Sequence, residues 1–153
     1  NKIARIILPE FAELAVFRRS TGEWFIRRAL DGGLTQVPWG ASEASGLGDT
    51  PAPADYDGDG KADIGIYRAS TGEWFALRSS NATLLHVGWG APTASGLGDV
   101  PVPGDYDADG KADFAVYRAT TGEWFIYRSS DGGLTHYNWG APSLGDVPVR
   151  AKY

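Results

Sequence analysis

Apolar and polar positions along the chain alternate with a period of two rather than the period of about 3.6 that a helix would show. The clearest runs are Asp113-Phe114-Ala115-Val116-Tyr117, Glu123-Trp124-Phe125-Ile126-Tyr127 and Leu134-Thr135-His136-Tyr137-Asn138-Trp139. They are rich in aromatic and β-branched residues, which suit a pleated, half-buried surface. Thr121-Gly122 and Asp131-Gly132-Gly133 lie between them and supply the turn chemistry of antiparallel hairpins. A fourth run, Val100-Pro101-Val102-Pro103-Gly104-Asp105-Tyr106, carries two prolines. Without N–H groups they cannot donate to a central ladder, so this strand belongs at a sheet edge. The pattern predicts strands joined by tight turns and leaves almost no room for helix.

The pattern returns at a shift of 50 residues: Ser20-Thr21-Gly22-Glu23-Trp24-Phe25 recurs as Ser70 to Phe75 and, with Thr120 first, through Phe125. In the same register Trp39-Gly40-Ala41 returns at Trp89 and Trp139, and Leu47-Gly48-Asp49 at Leu97 and, three residues early, at Leu144. The shortening falls between Pro142 and Leu144, where a surface loop tolerates deletion. Four short strands per unit, repeated with turns between, is the arithmetic of a β-propeller blade. The predicted fold is therefore all-β: three four-stranded antiparallel propeller blades, part of a larger or oligomeric propeller or array. Blade one spans residues 1–48, blade two 49–98 and blade three 99–146.

Three blades do not close a ring, since propellers typically have at least about four. Residues 147–153 repeat the register of Val100 to Tyr106 and are predicted to be an orphan first strand of a further blade. Lys2 to Ile7 occupies the first-strand position of blade one with a different, more apolar sequence. Two explanations stand side by side: self-association, through terminal strands that pair across a subunit boundary, or a chain truncated from a longer propeller.

Between the first two strands of blades two and three lie Asp55-Tyr56-Asp57-Gly58-Asp59-Gly60-Lys61-Ala62-Asp63 and Asp105-Tyr106-Asp107-Ala108-Asp109-Gly110-Lys111-Ala112-Asp113. Each places carboxylates at loop positions one, three, five and nine and a glycine at six, where the backbone must turn sharply. Four carboxylates so close repel one another unless a cation neutralises them, and a hard divalent ion prefers oxygen ligands. Calcium fits best, in two structural sites. The candidate ligands are Asp55, Asp57, Asp59 and Asp63, and Asp105, Asp107, Asp109 and Asp113, with the carbonyls of Lys61 and Lys111 added by analogy with the EF-hand loop. An EF-hand itself is excluded, because position twelve is Ile66 or Val116 on a strand instead of a glutamate. In blade one the corresponding stretch, Arg5 to Glu13, has lost the motif and no metal is expected there.

Charged residues make up 22% and apolar ones 42%, ordinary for a folded domain and too apolar for disorder. The formal charge of −5, from 19 acidic against 14 basic residues, lacks the basic excess that phosphate binding needs, so nucleic acid is not an expected partner. With no cysteine there is no disulfide, Cys-based zinc site or thiol nucleophile, and calcium is the natural replacement staple. No apolar run approaches the ~20 residues of a membrane helix, so no membrane insertion is expected. Asn1 in place of a methionine is read as a processed chain or a fragment.

The stretch from Val100 to Asp113, followed by Ala115-Val116-Tyr117-Arg118, resembles the FG-GAP/VCBS-type repeats of calcium-binding β-propellers, seen also in integrin α-subunit propellers. The resemblance covers essentially the whole chain apart from residues 1–10. It implies that the aspartate loop joins the first two strands of a blade, that the calcium is structural, and that the protein is secreted or at a cell surface. Adhesion, ligand recognition or service as an accessory domain of a larger secreted protein would follow. The chain departs from the family in having three blades rather than about seven and in its degenerate first loop.

The expected function is an extracellular, calcium-stabilised structural or interaction module that assembles through exposed strand edges into an oligomer or fibre. The alternative is a lectin-like or adhesion propeller that binds a glycan or a cell-surface protein, with tryptophans as stacking platforms. Trp24, Trp74 and Trp124 sit mid-strand and are assigned to the core between blades, which leaves Trp39, Trp89 and Trp139 for a ligand. An enzyme is not expected. His86 and His136 share one repeat position, filled by Gln36 in blade one, and recurrence of this kind reflects a shared structural role. The recurring Arg18, Arg68 and Arg118 are assigned to surface or inter-blade salt bridges, and Glu23, Glu73 and Glu123 to solvated hairpins. Asn81-Ala82-Thr83 is a possible N-glycosylation acceptor at a hairpin tip.

Overall fold

Short alternating runs punctuated by Thr-Gly and Asp-Gly turns form short strands, and the computed structural model, which describes residues 12–151, has eleven of them. In chain order they are β1 Leu14–Arg18, β2 Glu23–Arg27, β3 Leu34–Pro38, β4 Asp49–Pro51, β5 Ile64–Arg68, β6 Glu73–Leu77, β7 Leu84–Gly88, β8 Asp99–Pro101, β9 Phe114–Arg118, β10 Glu123–Tyr127 and β11 Leu134–Asn138. They make three sheets of three, four and four strands, ordered β1-β2-β3, β4-β5-β6-β7 and β8-β9-β10-β11. Every pairing is antiparallel. Among the described residues helix is confined to three short 3-10 turns, Glu43–Ser45, Thr93–Ser95 and Pro142–Leu144, each following a Trp-Gly-Ala triplet. The protein is all-β.

The first sheet shows three strands among the described residues, not four; the expected Lys2 to Ile7 strand lies outside them, as does the degenerate loop before Ala12. The proline-bearing edge strand is shorter than its sequence run. It pairs only at Asp99–Pro101, and the chain then rejoins the ladder at an isolated bridge, Gly104 to Asp113. Pro101 and Pro103 have no amide hydrogen to donate between those points. Val147 to Ala151 takes no strand conformation, so the expected orphan strand finds no strand partner among the described residues, and Lys152 and Tyr153 lie outside them.

Each turn between the second and third strands of a repeat is held tightly. Gly72 sits at φ +73°, and a Cβ there would come 2.4 Å from the Gly90 carbonyl oxygen, so only glycine fits. The buried core runs from Ala52, Ala54 and Tyr56 through Tyr67, Trp74 and Ala76 of the second sheet to Ala112, Phe114 and Val116 of the third. Tyr56 stacks on Phe114 with ring centroids 5.1 Å apart, and Trp74 meets the same ring edge-on at 5.5 Å. Such pairs contribute about 0.5–1.5 kcal/mol beyond the area they bury.

The two families of tryptophan have different tasks. Trp24, Trp74 and Trp124 each donate an indole N–H to the carbonyl of Trp39, Trp89 or Trp139 in the same repeat. Trp24 and Trp74 are buried, as the sequence predicts. Trp39 and Trp89 reach across instead, donating to the carbonyls of Phe75 at 3.4 Å and Phe125 at 3.2 Å in the following sheet. Two of the three tryptophans left as candidates for a ligand are therefore engaged between sheets. The recurring arginines differ from expectation in a related way: Arg68 and Arg118 pair with Asp49 and Asp99 within their own sheet, not between sheets.

Candidate metal centre

The two aspartate loops leave their sheets after the β4 and β8 edge segments and return at Asp63 and Asp113. Their curl is built by carboxylates accepting from the loop's own amides, the ordinary chemistry of Asx turns. Asp55 Oδ1 accepts from Gly58 at 2.7 Å and its Oδ2 from Gly60 at 2.9 Å, while Asp59 Oδ1 accepts from Lys61 at 2.8 Å. The third repeat copies this, with Asp105 Oδ2 accepting from Gly110 at 3.1 Å and Asp109 Oδ1 from Lys111 at 2.8 Å. Gly60 and Gly110 sit at φ +88° and +92°, so the glycine at position six has a conformational reason.

The last aspartate of each loop does a separate job. Asp63 and Asp113 are fully buried, each accepting from a tyrosine amide at the start of its own loop, Tyr56 at 2.9 Å and Tyr106 at 2.8 Å. Their other oxygens accept from the amides of Ser79 at 2.7 Å and Ser129 at 2.8 Å, in the turn between the third and fourth strands of the same sheet. Neither carboxylate has a basic side chain beside it among the described residues. Burial pushes the Asp113 carboxyl up from the usual range, and the nearby charge of Asp107 adds to this, against the amide and hydroxyl of Ser129.

Two serines in each of repeats two and three complete the bracing, residues to which the motif spacing gives no role. Ser79 Oγ donates to Asp59 Oδ2 at 3.1 Å and Ser80 Oγ to Asp57 Oδ2 at 2.6 Å. Ser129 and Ser130 do the same for Asp109 and Asp107, at 2.8 and 2.5 Å. The Ser80 hydroxyl is the first cause holding the Asp57 carboxyl below its ordinary range. A signal was present: the serine pair stands at 79–80 and 129–130, and repeat one, without the aspartate loop, has Ala29-Leu30 at that position.

Oxygens of Asp55, Asp57 and Asp63 converge to within 4.8 Å of one another, as do those of Asp105, Asp107 and Asp109. Asp59 and Asp113 belong to the same loops but lie outside those triplets. The donor set is all oxygen, the hydrogen bonds leave each carboxylate with further lone pairs, and among the described residues no lysine or arginine forms an ion pair with these carboxylates. Those are the requirements of a hard divalent cation. Lys61 and Lys111 occupy the expected seventh position with exposed side chains. The Lys111 stem lies over Gly58 of the preceding loop, and the Ala112 amide donates to the Asp55 carbonyl at 2.7 Å, so the two loops are tied together.

The remaining recurrent polar residues form a surface ladder. His86 stacks on Phe75 at 4.5 Å and bonds Glu73 at 2.9 Å, while the Arg68 guanidinium lies 4.7 Å above the same Phe75 ring. Phe125, His136, Glu123 and Arg118 repeat this, and in repeat one Gln36 donates to Glu23 at 2.8 Å. Gln36 replaces histidine without loss of the bond, which places the position in strand pairing. Asn81 is exposed in its turn, where its side chain accepts from the Thr83 amide at 3.0 Å. Compared with family models, with curated proteins and with solved structures, the chain matches none.

Proposed function

We propose that the three sheets are β-propeller blades of the FG-GAP/VCBS type and that the protein is an extracellular structural and interaction module, stabilised by two calcium ions and without catalytic activity. The observation that carries this is the paired occurrence of aspartate loop and serine brace. Both features stand in repeats two and three and both are missing from repeat one, as expected if they serve one ion-binding task. Asp55, Asp57, Asp59 and Asp63, and their counterparts Asp105, Asp107, Asp109 and Asp113, would supply carboxylate oxygens, with the Lys61 and Lys111 carbonyls as further donors. The ion would hold each loop against the sheet, and extracellular calcium is abundant enough to fill even a weak site of this kind. The lectin-like alternative is narrowed, since Trp39 and Trp89 are committed between sheets.

Calorimetric titration of calcium into chelator-stripped protein tests this. Two sites are expected, Asp105→Asn should leave one, and the midpoint of thermal unfolding should rise with calcium. At a free calcium concentration about 100-fold above Kd, each site adds about 2.7 kcal/mol. No heat and no change in unfolding midpoint at millimolar calcium would sink the proposal.

A further inference from the structure

Each complete sheet carries an ion pair that joins its first two strands. The side chains of Asp49 and Asp99 are buried; Asp49 receives two hydrogen bonds from Arg68, at 2.8 and 2.9 Å, and Asp99 two from Arg118, at 2.8 and 3.1 Å. Each aspartate also accepts from the alanine amide of the preceding Trp-Gly-Ala triplet, Ala41 at 2.7 Å and Ala91 at 2.8 Å. The pattern is broken once at each side of the molecule. Asp146 accepts from the Ala141 amide at 2.8 Å, set just as its counterparts are, but is exposed and pairs with no arginine among the described residues. Arg18 lies over Phe25 at 4.1 Å, as Arg68 and Arg118 lie over Phe75 and Phe125, yet has no carboxylate partner among the described residues.

The flanking surfaces show the same complementarity. On the first sheet Leu14 and Val16 are 68% and 61% exposed, whereas Ile66 and Val116, at the position of Val16 in the later repeats, are 1% exposed. On the third sheet Tyr106 is 38% exposed against 5% for Tyr56, and Trp139 is 81% exposed, with no following carbonyl to bond. Trp139 and Trp124 wall a groove of about 700 Å³ that continues along Asp146 to Val149.

We infer that this groove and the Asp146–Val149 segment receive the first sheet of a second copy of the chain. The inference rests on the reading above of the sheets as propeller blades. Transferring the β4–β5 register, Asp146 faces Arg18 of the second copy, Val147 faces Phe17 and Pro148 faces Val16. The segment thereby takes, beside β1 of the second copy, the first-strand place that the sequence assigns to that copy's Lys2 to Ile7, an exchange of strands between copies. Trp139 then reaches the second copy's Phe25 carbonyl, by the step that joins Trp39 to Phe75 and Trp89 to Phe125. Tyr106 covers Leu14 as Tyr56 covers Phe114. A second copy is the occupant because the chain presents both halves of one interface on different sheets, with no hydrogen bond or ion pair between its first and third sheets among the described residues. The contact is head-to-tail, and its rotation decides between a closed ring and an open fibre.

Charge exchange tests this on the full chain in calcium. Sedimentation should give masses that are multiples of 16.4 kDa and rise with concentration. Asp146→Arg alone and Arg18→Asp alone should each weaken association at least tenfold, by opposing like charges. The double variant, and an equimolar mixture of the two single variants, should regain it, because each altered side chain then meets its opposite across copies. Trp139→Ala should weaken association without lowering the unfolding midpoint of the monomer. A monomer at every concentration, or single variants that assemble like the parent, would overturn the inference. Unfolding midpoints with calcium and with chelator, read on the same samples, separate the two proposals: a calcium shift in a strictly monomeric protein retains the metal sites and rejects the interface, and assembly without a calcium shift does the reverse.

Discussion

Trp89 and Trp139 hold the same place in consecutive repeats and follow nearly the same sequence, but they live in different surroundings. Trp89 lies half-buried against the third sheet, its indole donating to the Phe125 carbonyl and its ring 5.5 Å from Tyr127. Trp139 stands in solvent. Tyr67 and Tyr117 are both buried and differ only at the hydroxyl, which donates to the Ala91 carbonyl at 3.2 Å in Tyr67 and has no partner among the described residues in Tyr117. The contrast shows that a repeat of this type does not cover the tryptophan at the end of its last strand. The following sheet does, so the third sheet, with none after it among the described residues, leaves Trp139 open where the second covers Trp89.

The largest test of that contrast is a pair of truncations. Trp74→Ala should cost about 3–5 kcal/mol, because it removes a fully buried ring that touches Phe114 of the next sheet. Trp124→Ala, at a ring only partly covered, should cost about half as much or less. Urea midpoints measured in calcium settle the difference, and equal losses would mean that the neighbouring sheet is not what buries the ring.

A smaller effect separates the two loops. Position four is glycine in the second repeat, Gly58 at φ +80°, and alanine in the third, where Ala108 is held at φ +63°. A left-handed conformation costs an L-residue about 1–2 kcal/mol, so Ala108→Gly should stabilise by about 1 kcal/mol. Gly58→Ala should lose a similar amount. Thermal unfolding of both variants measures this, and an unchanged midpoint for Ala108→Gly would remove strain as a difference between the loops.

The least effect is one of pH. Without metal, folding raises the Asp113 carboxyl above its ordinary value, so the folded chain binds this proton more readily and its contribution to stability declines as pH rises through the folded value. A bound calcium ion needs the carboxylate ionised and reverses that sign. The gap between unfolding midpoints in calcium and in chelator should therefore close as pH falls from 7 towards about 4. A gap independent of pH would show that these carboxylates do not carry the calcium effect.

Much of the architecture was legible in the chain. The period-two runs at Glu123 to Tyr127 and Leu134 to Asn138 are strands where the alternation places them, since a half-buried sheet leaves that signature directly. The carboxylate spacing likewise marked both loops. The serine braces were missed, because Ser79-Ser80 lies sixteen or more residues beyond the acids and only the fold joins them. The tasks of Asp49 and Asp99 were missed for a similar reason: Leu-Gly-Asp reads as a register marker until β4 and β8 are laid beside Arg68 and Arg118.

By itself, then, the sequence determined the strands, the turns and the repeat, all of which depend on residues close together in the chain. Tertiary structure decided which sheet covers which. It alone determined that Trp39 and Trp89 bridge sheets while Trp139 faces water, that Arg68 and Arg118 pair inside a sheet, and that Asp63 and Asp113 are buried. Burial and ion pairing depend on what lies across a gap between sheets, and three nearly identical repeats carry almost the same local code whether or not a neighbour fills that gap.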